Sequence, residues 1–490
     1  MPGKVAVIGA GLGGLAVAVR LAARGYTVNV YEKNNYPGGK MAELRHDGYR
    51  FDMGPSLFTL PGLVAELFDL AGELMENNLP CRKLDEVCRY FFPDGMEIRA
   101  FADPEKFADE LALKAGENRA RVLQYLAESR KIYELTNPVF LTNSLHLPSN
   151  YLTPAFLKAF AHLPRLKPFS TLHQVNSKYF RHENTIHIFD RFATYNGSDP
   201  YKTPATLMVI PHLEHNTGAF FPYHGIYSIA SSLEELASRL GVEFNYNSNV
   251  DKIVVKRGRV AGVRISEGVE SDCDTVVSDA DIWFLYNHLL RDIPFPKKWF
   301  RHERSSSALI FYWGMEIHSK NLGLHNILFA KDYKEEFNCL FSKKLIHADP
   351  TVYIFISSKI VKEDAPEGCE NWFVMVNVPE NCGQDWDSMI AAARESIEEK
   401  IDRMTGIDVK LCRKFEFVLD PRAIEQKTAS YRGSLYGNSS NSTLAAFRRH
   451  PNLSGIKGLY LVGGSVHPGG GIPLCLSSAK IVSGMIPELK

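Results

Sequence analysis

The stretch that most constrains this chain lies at its start: KVAVIGAGLGGLAVAVRLAARGYTVNVYEK, residues 4–33. Val5, Val7 and Ile8 make a β-branched run suited to a buried strand. Gly9, Gly11 and Gly14 then give G-x-G-x-x-G, and Leu15, Val19 and Leu21 follow at the spacing of one helical face. Gly25 ends that helix, Val28–Tyr31 reads as a second strand, and Glu32 closes it. The first glycine permits a tight turn, the second lets backbone approach a pyrophosphate, and the third lets helix and strand pack closely. The acid can accept from ribose hydroxyls and would repel the extra phosphate of NADP. A lone glycine motif is weak, but strand, helix, second strand and acid all fall in register here. A dinucleotide-binding α/β unit follows; by itself the motif does not separate FAD from NAD.

Length and charge narrow the rest. A chain of 490 residues is expected to fold as two or three domains. Lys plus Arg equals Asp plus Glu, 56 each, so no global field recruits nucleic acid. The eight cysteines are scattered without a C-x-x-C pair, the pattern of a reduced, cytosolic protein. No run of about 20 apolar residues is present, as a membrane-spanning helix requires. The longest uncharged runs, 135–157 and 458–479, are broken by Pro, Gly, Asn and Ser. Four glycines within residues 9–14 make the N-terminus a poor export signal. These features argue against crossing a bilayer, not against lying on one.

Residues 34–56, NNYPGGKMAELRHDGYRFDMGPS, add a Gly38-Gly39 doublet, Lys40, and a turn with Asp52, Gly54, Pro55 and Ser56. A strand-like pair, Met41 to Arg45 and Tyr49 to Asp52, would return that turn toward the nucleotide. Four later segments complete a pattern. They are RFATYNGSDPYKTPATLMVIPHLE at 191–214, GVEFNYNSNVDKIVVKRGRVAGVRI at 241–265, TVVSDAD at 275–281, and G-x-x-x-H-P-G-x-G-x-P from Gly463 to Pro473. On these residues the chain resembles the phytoene-desaturase type of carotenoid desaturase, in the superfamily that includes flavin amine oxidases.

That resemblance implies FAD as the cofactor. It places Gly9, Gly11, Gly14, Glu32, Lys33, Gly38, Gly39, Lys40, Gly54, Pro55 and Ser56 at the FAD site. Val250 falls where backbone contacts to adenine are made, and Gly464, Gly470, Gly471 and Ile472 fall beside the flavin. PYHGIYS, 222–228, departs from the family: His224 stands where a glycine is usual. The imidazole there would crowd the cofactor, face the substrate, or sit idle in a loop.

The middle of the chain carries an anomaly of composition. From Leu135 to His182 there is no acidic residue, whereas Lys158, Arg165, Lys167, Lys178 and Arg181 are basic and Phe140, Tyr151, Phe156, Phe160 and Phe169 aromatic. Such a stretch suits a helical lobe that docks on anionic lipid, or one whose apolar face lines an internal cavity. HENTIH, 182–187, lacks the spacing of a zinc-protease helix, and no metal is expected.

The expected architecture is a Rossmann-type α/β FAD-binding domain interleaved with an α+β substrate domain and a helical, membrane-facing lobe. FAD-binding segments are placed at 1–90, 215–290 and 420–490, the helical lobe at 91–214, and the substrate domain at 291–419. In the last, ALIFYWGMEIH, TVYIFISSK and NWFVMVNV alternate like antiparallel strands. By resemblance the activity is carotenoid desaturation, with loss of a hydride to flavin and of a proton from the adjacent carbon. FDMGPSLFTLPGLVAELFDLAG, 51–72, is similar to the subgroup that desaturates the 3,4 bond of a 1-hydroxylated end group. Phytoene desaturation, carotene isomerisation and retinol saturation are alternatives on the same fold, and a prenyl-binding protein is a non-enzymatic one. The resemblance further implies a carotenoid substrate; the basic, aromatic stretch suits peripheral lipid association, expected at the inner, cytoplasmic face of a membrane, and the sequence leaves the electron acceptor open between oxygen, a quinone or another. It assigns no catalytic base.

Overall fold

A computed structural model describes residues 3–266 and 268–489. The first strand, Lys4–Ile8, lies in the middle of a five-stranded sheet. Its neighbours are Thr27–Tyr31, with Glu243–Asn245 beyond, and on the other side Thr275–Ser278, with Leu459–Leu461 at the edge. Every pairing is parallel. A parallel sheet must be covered on both faces, which is why Val5, Ala6, Val7 and Ile8 are all buried. The helices Leu12–Ala22, Ser228–Arg239 and Ile472–Met485 pack on one face. The antiparallel strands Val250–Lys256, Arg259–Ile265 and Glu270–Asp272 close the other. Three distant stretches of chain thus build one parallel layer.

A seven-stranded sheet forms the second layer. Its order is Arg413–Leu419, Ser307–Met315, Glu370–Val378, Val352–Ile356, His325–Leu328, Glu86–Phe91, Glu97–Phe101. The pairings are antiparallel except that of His325–Leu328 with Glu86–Phe91, which is parallel and joins strands from distant parts of the chain. Glu86–Phe91, which spans residue 90, lies in this second sheet. Ser307–Met315 is buried at every residue. Leu309, Phe311, Trp313 and Met315 face the helix Trp386–Thr405, through Trp386, Ile390, Ile397 and Ile401. Ala308 and Ile310 point the opposite way, into a cavity.

The helical lobe packs against the far end of that sheet. Val122, Tyr125, Leu126 and Ile132 give the helix Arg119–Phe140 its buried stripe, which meets Phe107, Leu172, Phe180 and Phe189. No helix among the described residues is long and apolar enough to cross a membrane.

Candidate active site

One cavity of about 1020 Å³ runs from the glycine turn to the helical lobe. Its near end is made of backbone. Gly9 has φ +95°, a conformation that favours glycine, and it makes the turn from strand to helix. Gly11 precedes the helix Leu12–Ala22 and offers no side-chain cap, so the helix N-terminus opens on the cavity. A Cβ on Gly14 would lie 2.0 Å from the carbonyl oxygen of Gly9, so this glycine sets helix–strand contact and does not line the cavity. The backbone N–H of Gly38 donates to Ala10 O at 2.8 Å, and a Cβ on Gly39 would stand 3.3 Å from Gly11 Cα. The doublet and the motif glycines are thus laid backbone to backbone.

Glu32 is buried at the end of its strand. Its Oε2 accepts from the N–H of Ala10 at 2.8 Å, and its Oε1 from the backbone N–H and side-chain amide of Asn34 at 2.9 and 2.7 Å. The carboxylate fastens the glycine loop and keeps lone pairs for a further donor. The N–H of Ser248 donates to the Glu32 carbonyl, which sets Val250 against the same wall. Lys33 and Lys40 also line the cavity, and burial lowers both ammonium groups below their ordinary range. Lys40 Nζ donates to the carbonyls of Ser434 and Leu435, at 3.2 and 2.7 Å. Gly54, Pro55 and Ser56 follow directly; a Cβ on Gly54 would stand 2.1 Å from Lys40 O.

The C-terminal glycine loop closes the near end. Gly464, Gly470, Gly471 and Ile472 line the cavity, and the helix Ile472–Met485 begins there with no side-chain cap. A Cβ on Gly471 would project into open space, yet its φ of +107° excludes most other residues. Arg449 is buried beside this loop, its guanidinium donating to the carbonyls of Tyr436 and Asn438, at 2.8 and 3.0 Å. Burial next to Arg304 pushes it down to about 10. Two uncapped helix N-termini and two cations bonded to carbonyls rather than carboxylates therefore face one space. Such a donor set fits an anionic dinucleotide.

Asp279 went unread in the sequence as a site residue. Its carboxyl is shut between Gly11, Gly13 and Gly463, and Oδ2 accepts from the N–H of Gly14 at 3.1 Å. Burial pushes it up to about 7, with Glu32 adding to the rise. The quoted TVVSDAD segment contained it, but nothing in that segment marks Asp279 as facing the first helix.

Beyond Ser56 the wall changes to apolar side chains: Val139, Phe140, Phe156, Leu163 and Ile210 from the lobe, and Ile310 from the sheet. Polar groups interrupt it, among them Arg191, Tyr353 and His325. Arg191 lines the cavity, and its Nη2 donates to the hydroxyls of Tyr90 at 2.9 Å and Tyr195 at 3.3 Å. The guanidinium lies over the rings of Tyr90, Phe192 and Tyr195, 5.1–5.4 Å from their centroids. Tyr195 donates to the fully buried Glu214, whose carboxyl burial pushes up to about 7 against the pull of Arg191. His224, by contrast, is exposed and lines no part of the cavity. The loop that carries it is tied elsewhere, because the N–H groups of Ile226 and Tyr227 donate to Asp52 at 3.0 and 2.8 Å.

Known proteins align with this chain over nearly its whole length. The model of the family described as flavin containing amine oxidoreductase matches residues 12–486. The chain is similar to a 1-hydroxycarotenoid 3,4-desaturase of Flavobacterium sp. (strain P99-3), 47% identical over 99% of each chain. It is also similar to a phytoene desaturase of Fusarium fujikuroi, 31% identical over 99% of this chain and 89% of the relative. Among solved structures, an oxidoreductase of Methanosarcina mazei superposes with a TM-score of 0.61 at 17% identity, covering 98% of this chain and 100% of its own, and shares the fold.

Proposed function

The chain belongs to the flavin-containing amine oxidoreductases, among the carotenoid desaturases, and on that ground we propose that it desaturates the 3,4 bond of a 1-hydroxylated carotenoid. It is an FAD-dependent oxidoreductase. The observation that carries the carotenoid reading is the continuity of the cavity: a dinucleotide cradle opens directly into an apolar channel.

Bound FAD supplies the hydride acceptor, and the protein positions the substrate against it. Gly9, Gly11 and the N-terminus of the first helix would meet the pyrophosphate, Glu32 a ribose, and Val250 the adenine. Gly38, Gly39, Lys40, Gly54, Pro55, Ser56, Gly464, Gly470, Gly471 and Ile472 would surround the flavin. The apolar wall does two things for the substrate. It fixes the chain so that one allylic C–H bond faces the cofactor, and it keeps water from the positive charge that develops on the polyene.

The lobe at 135–182 supports peripheral membrane docking. Phe160 lines the cavity and is 65% exposed, so the channel wall continues onto the surface. Leu152, Leu157 and Phe169 are exposed beside it, together with Lys158 and Arg165. Exposed apolar side chains accompanied by Lys158 and by Arg165, which lies 3.4 Å from Glu128, suit a headgroup boundary, where a lipid-dissolved substrate would enter.

The test uses flavin-loaded protein with anionic liposomes carrying either a 1-hydroxylated carotene or phytoene. A red shift of the polyene spectrum from the hydroxylated compound alone is expected; conversion of phytoene instead would overturn the reading. In the same tubes, Lys158→Gln with Arg165→Gln should weaken low-salt co-sedimentation, by about 1 kcal/mol per charge. Unchanged sedimentation would remove the docking proposal.

A further inference from the structure

The cavity wall carries a polar thread that leads from the nucleotide cradle into the channel. Ser56 Oγ lies 2.6 Å from the hydroxyl of Tyr353, and that hydroxyl lies 2.7 Å from Nδ1 of His325. All three side chains line the cavity. They come from three places in the chain: the turn after Gly54, the strand Val352–Ile356 and the adjacent strand His325–Leu328. There the thread stops. Nε2 of His325 is buried and has no hydrogen-bond partner.

An unpaired buried ring nitrogen is costly unless something completes it. The imidazole is 4% exposed and stacked on Phe355, with ring centroids 5.2 Å apart, so it cannot swing out to water. Burial, reinforced by Arg191, pushes it down to about 3, which leaves the ring neutral. A neutral imidazole bonded through Nδ1 presents either a donor or a lone pair at Nε2, according to which way the protons of Tyr353 and Ser56 run. A ligand hydroxyl both donates and accepts, so it completes the thread in either state. A hydrocarbon end completes neither, and a carbonyl completes only one.

Position along the cavity agrees with this chemistry. In a 1-hydroxylated end group, a single carbon separates the oxygen-bearing carbon from carbon 3. A group that reads the oxygen must therefore sit beside the reacting bond, at the junction of cradle and channel. The thread begins at Ser56, whose neighbours Gly54 and Pro55 line the cradle, and Arg191 lines the same cavity.

We propose that His325, held by Tyr353 and Ser56, binds the end-group hydroxyl of the substrate and is the specificity-determining contact for hydroxylated carotenoids. The inference rests on the substrate class proposed above. Replacing the hydroxyl by hydrogen leaves His325 Nε2 unpaired, which corresponds to discrimination on the order of 10- to 100-fold.

The test is a binding titration on flavin-loaded protein in detergent, read by quenching of its intrinsic fluorescence. The probes are a 1-hydroxylated carotene and its counterpart lacking the hydroxyl. The wild type should bind the hydroxylated compound on the order of 10- to 100-fold more tightly, and His325→Phe should bring the ratio close to one. His325→Gln, whose amide can still donate and accept, should recover part of it. Flavin content reports the fold of each variant. If His325→Phe does not fold, Tyr353→Phe decides, because it breaks the thread one step back and should also lower the ratio. Equal wild-type binding of the two probes, or a ratio that survives both variants, overturns the proposal. Desaturation of the hydroxylated carotene without any binding preference would leave the reaction standing and remove this contact. A binding preference without desaturation would do the reverse.

Discussion

The near end of the cavity is walled by main chain, at Gly9, Gly11, Gly39 and Gly471, whereas its far end is walled by side chains, among them Arg191, His325 and Tyr353. The two kinds of wall respond differently to change. A main-chain wall depends on conformations and close approaches that few residues other than glycine allow, so its failure is steric and abrupt. A side-chain wall depends on partners that are each replaceable, so its failure is graded and chemical.

Gly14→Ala attacks the first kind from behind, at the helix–strand contact on which the wall rests. The new Cβ would lie 2.0 Å from Gly9 O, so the first helix must move off its strand. Overpacking of this kind costs about 3 kcal/mol. A large fall in melting temperature and loss of bound flavin are expected. A variant of normal stability and full flavin content would show that helix–strand spacing does not govern the cradle.

Glu32→Ala acts on the same wall with a smaller effect. It removes the acceptor that holds the Ala10 N–H at 2.8 Å and the acceptor offered to a ribose. Charge-assisted hydrogen bonds contribute about 1.5–3 kcal/mol each, so FAD affinity should fall roughly 10- to 100-fold. Equilibrium dialysis of FAD measures this directly, and undiminished retention would take Glu32 out of the cofactor site.

The same difference governs what could be read from the chain. The glycine turn and Glu32 were legible by spacing, and the Gly38-Gly39 doublet and the Gly463–Pro473 loop by resemblance, because each is a short segment with a pattern of its own. The alternation in ALIFYWGMEIH likewise foretold a strand, and Ser307–Met315 is one. Arg191 and Glu214 are 23 positions apart and meet only after a helix, a loop and a π-turn have folded. His325 finds Tyr353 only because two antiparallel strands align, and Ser56 reaches Tyr353 across 297 positions. No period in the sequence encodes such meetings. The parallel pairing of His325–Leu328 with Glu86–Phe91 was hidden for the same reason, since each strand alone looks like any other. His224 shows the converse: a conspicuous departure in a short motif proved to be a solvent-facing loop residue.

Two acids raised by burial, Asp279 in the cradle wall and Glu214 behind Tyr195 and Arg191, let titration tell the two ends of the cavity apart. Glu214, at the side-chain end, is pushed up to about 7 from an ordinary 4.5, and Asp279, at the main-chain end, to about 7 from 3.8. Both folded-state values exceed the unfolded ones, so between these limits the folded protein holds protons that the unfolded chain has released. Stability from each group is therefore complete below its ordinary value and is lost as pH rises toward 7. Glu214→Gln keeps an acceptor for Tyr195 but cannot ionise. At any one pH its effect on melting temperature is small, and the readout is the slope. From pH 5 to 7 the wild type should lose stability relative to this variant, and Asp279→Asn should show the same relative trend. Adding FAD should then separate them. Asp279 lies against the glycine loop where the pyrophosphate would bind, so its contribution should change with cofactor, whereas that of Glu214, away from the cradle, should not. If FAD alters the two slopes equally, the two ends are electrostatically one site, and the contrast drawn between their walls does not extend to charge.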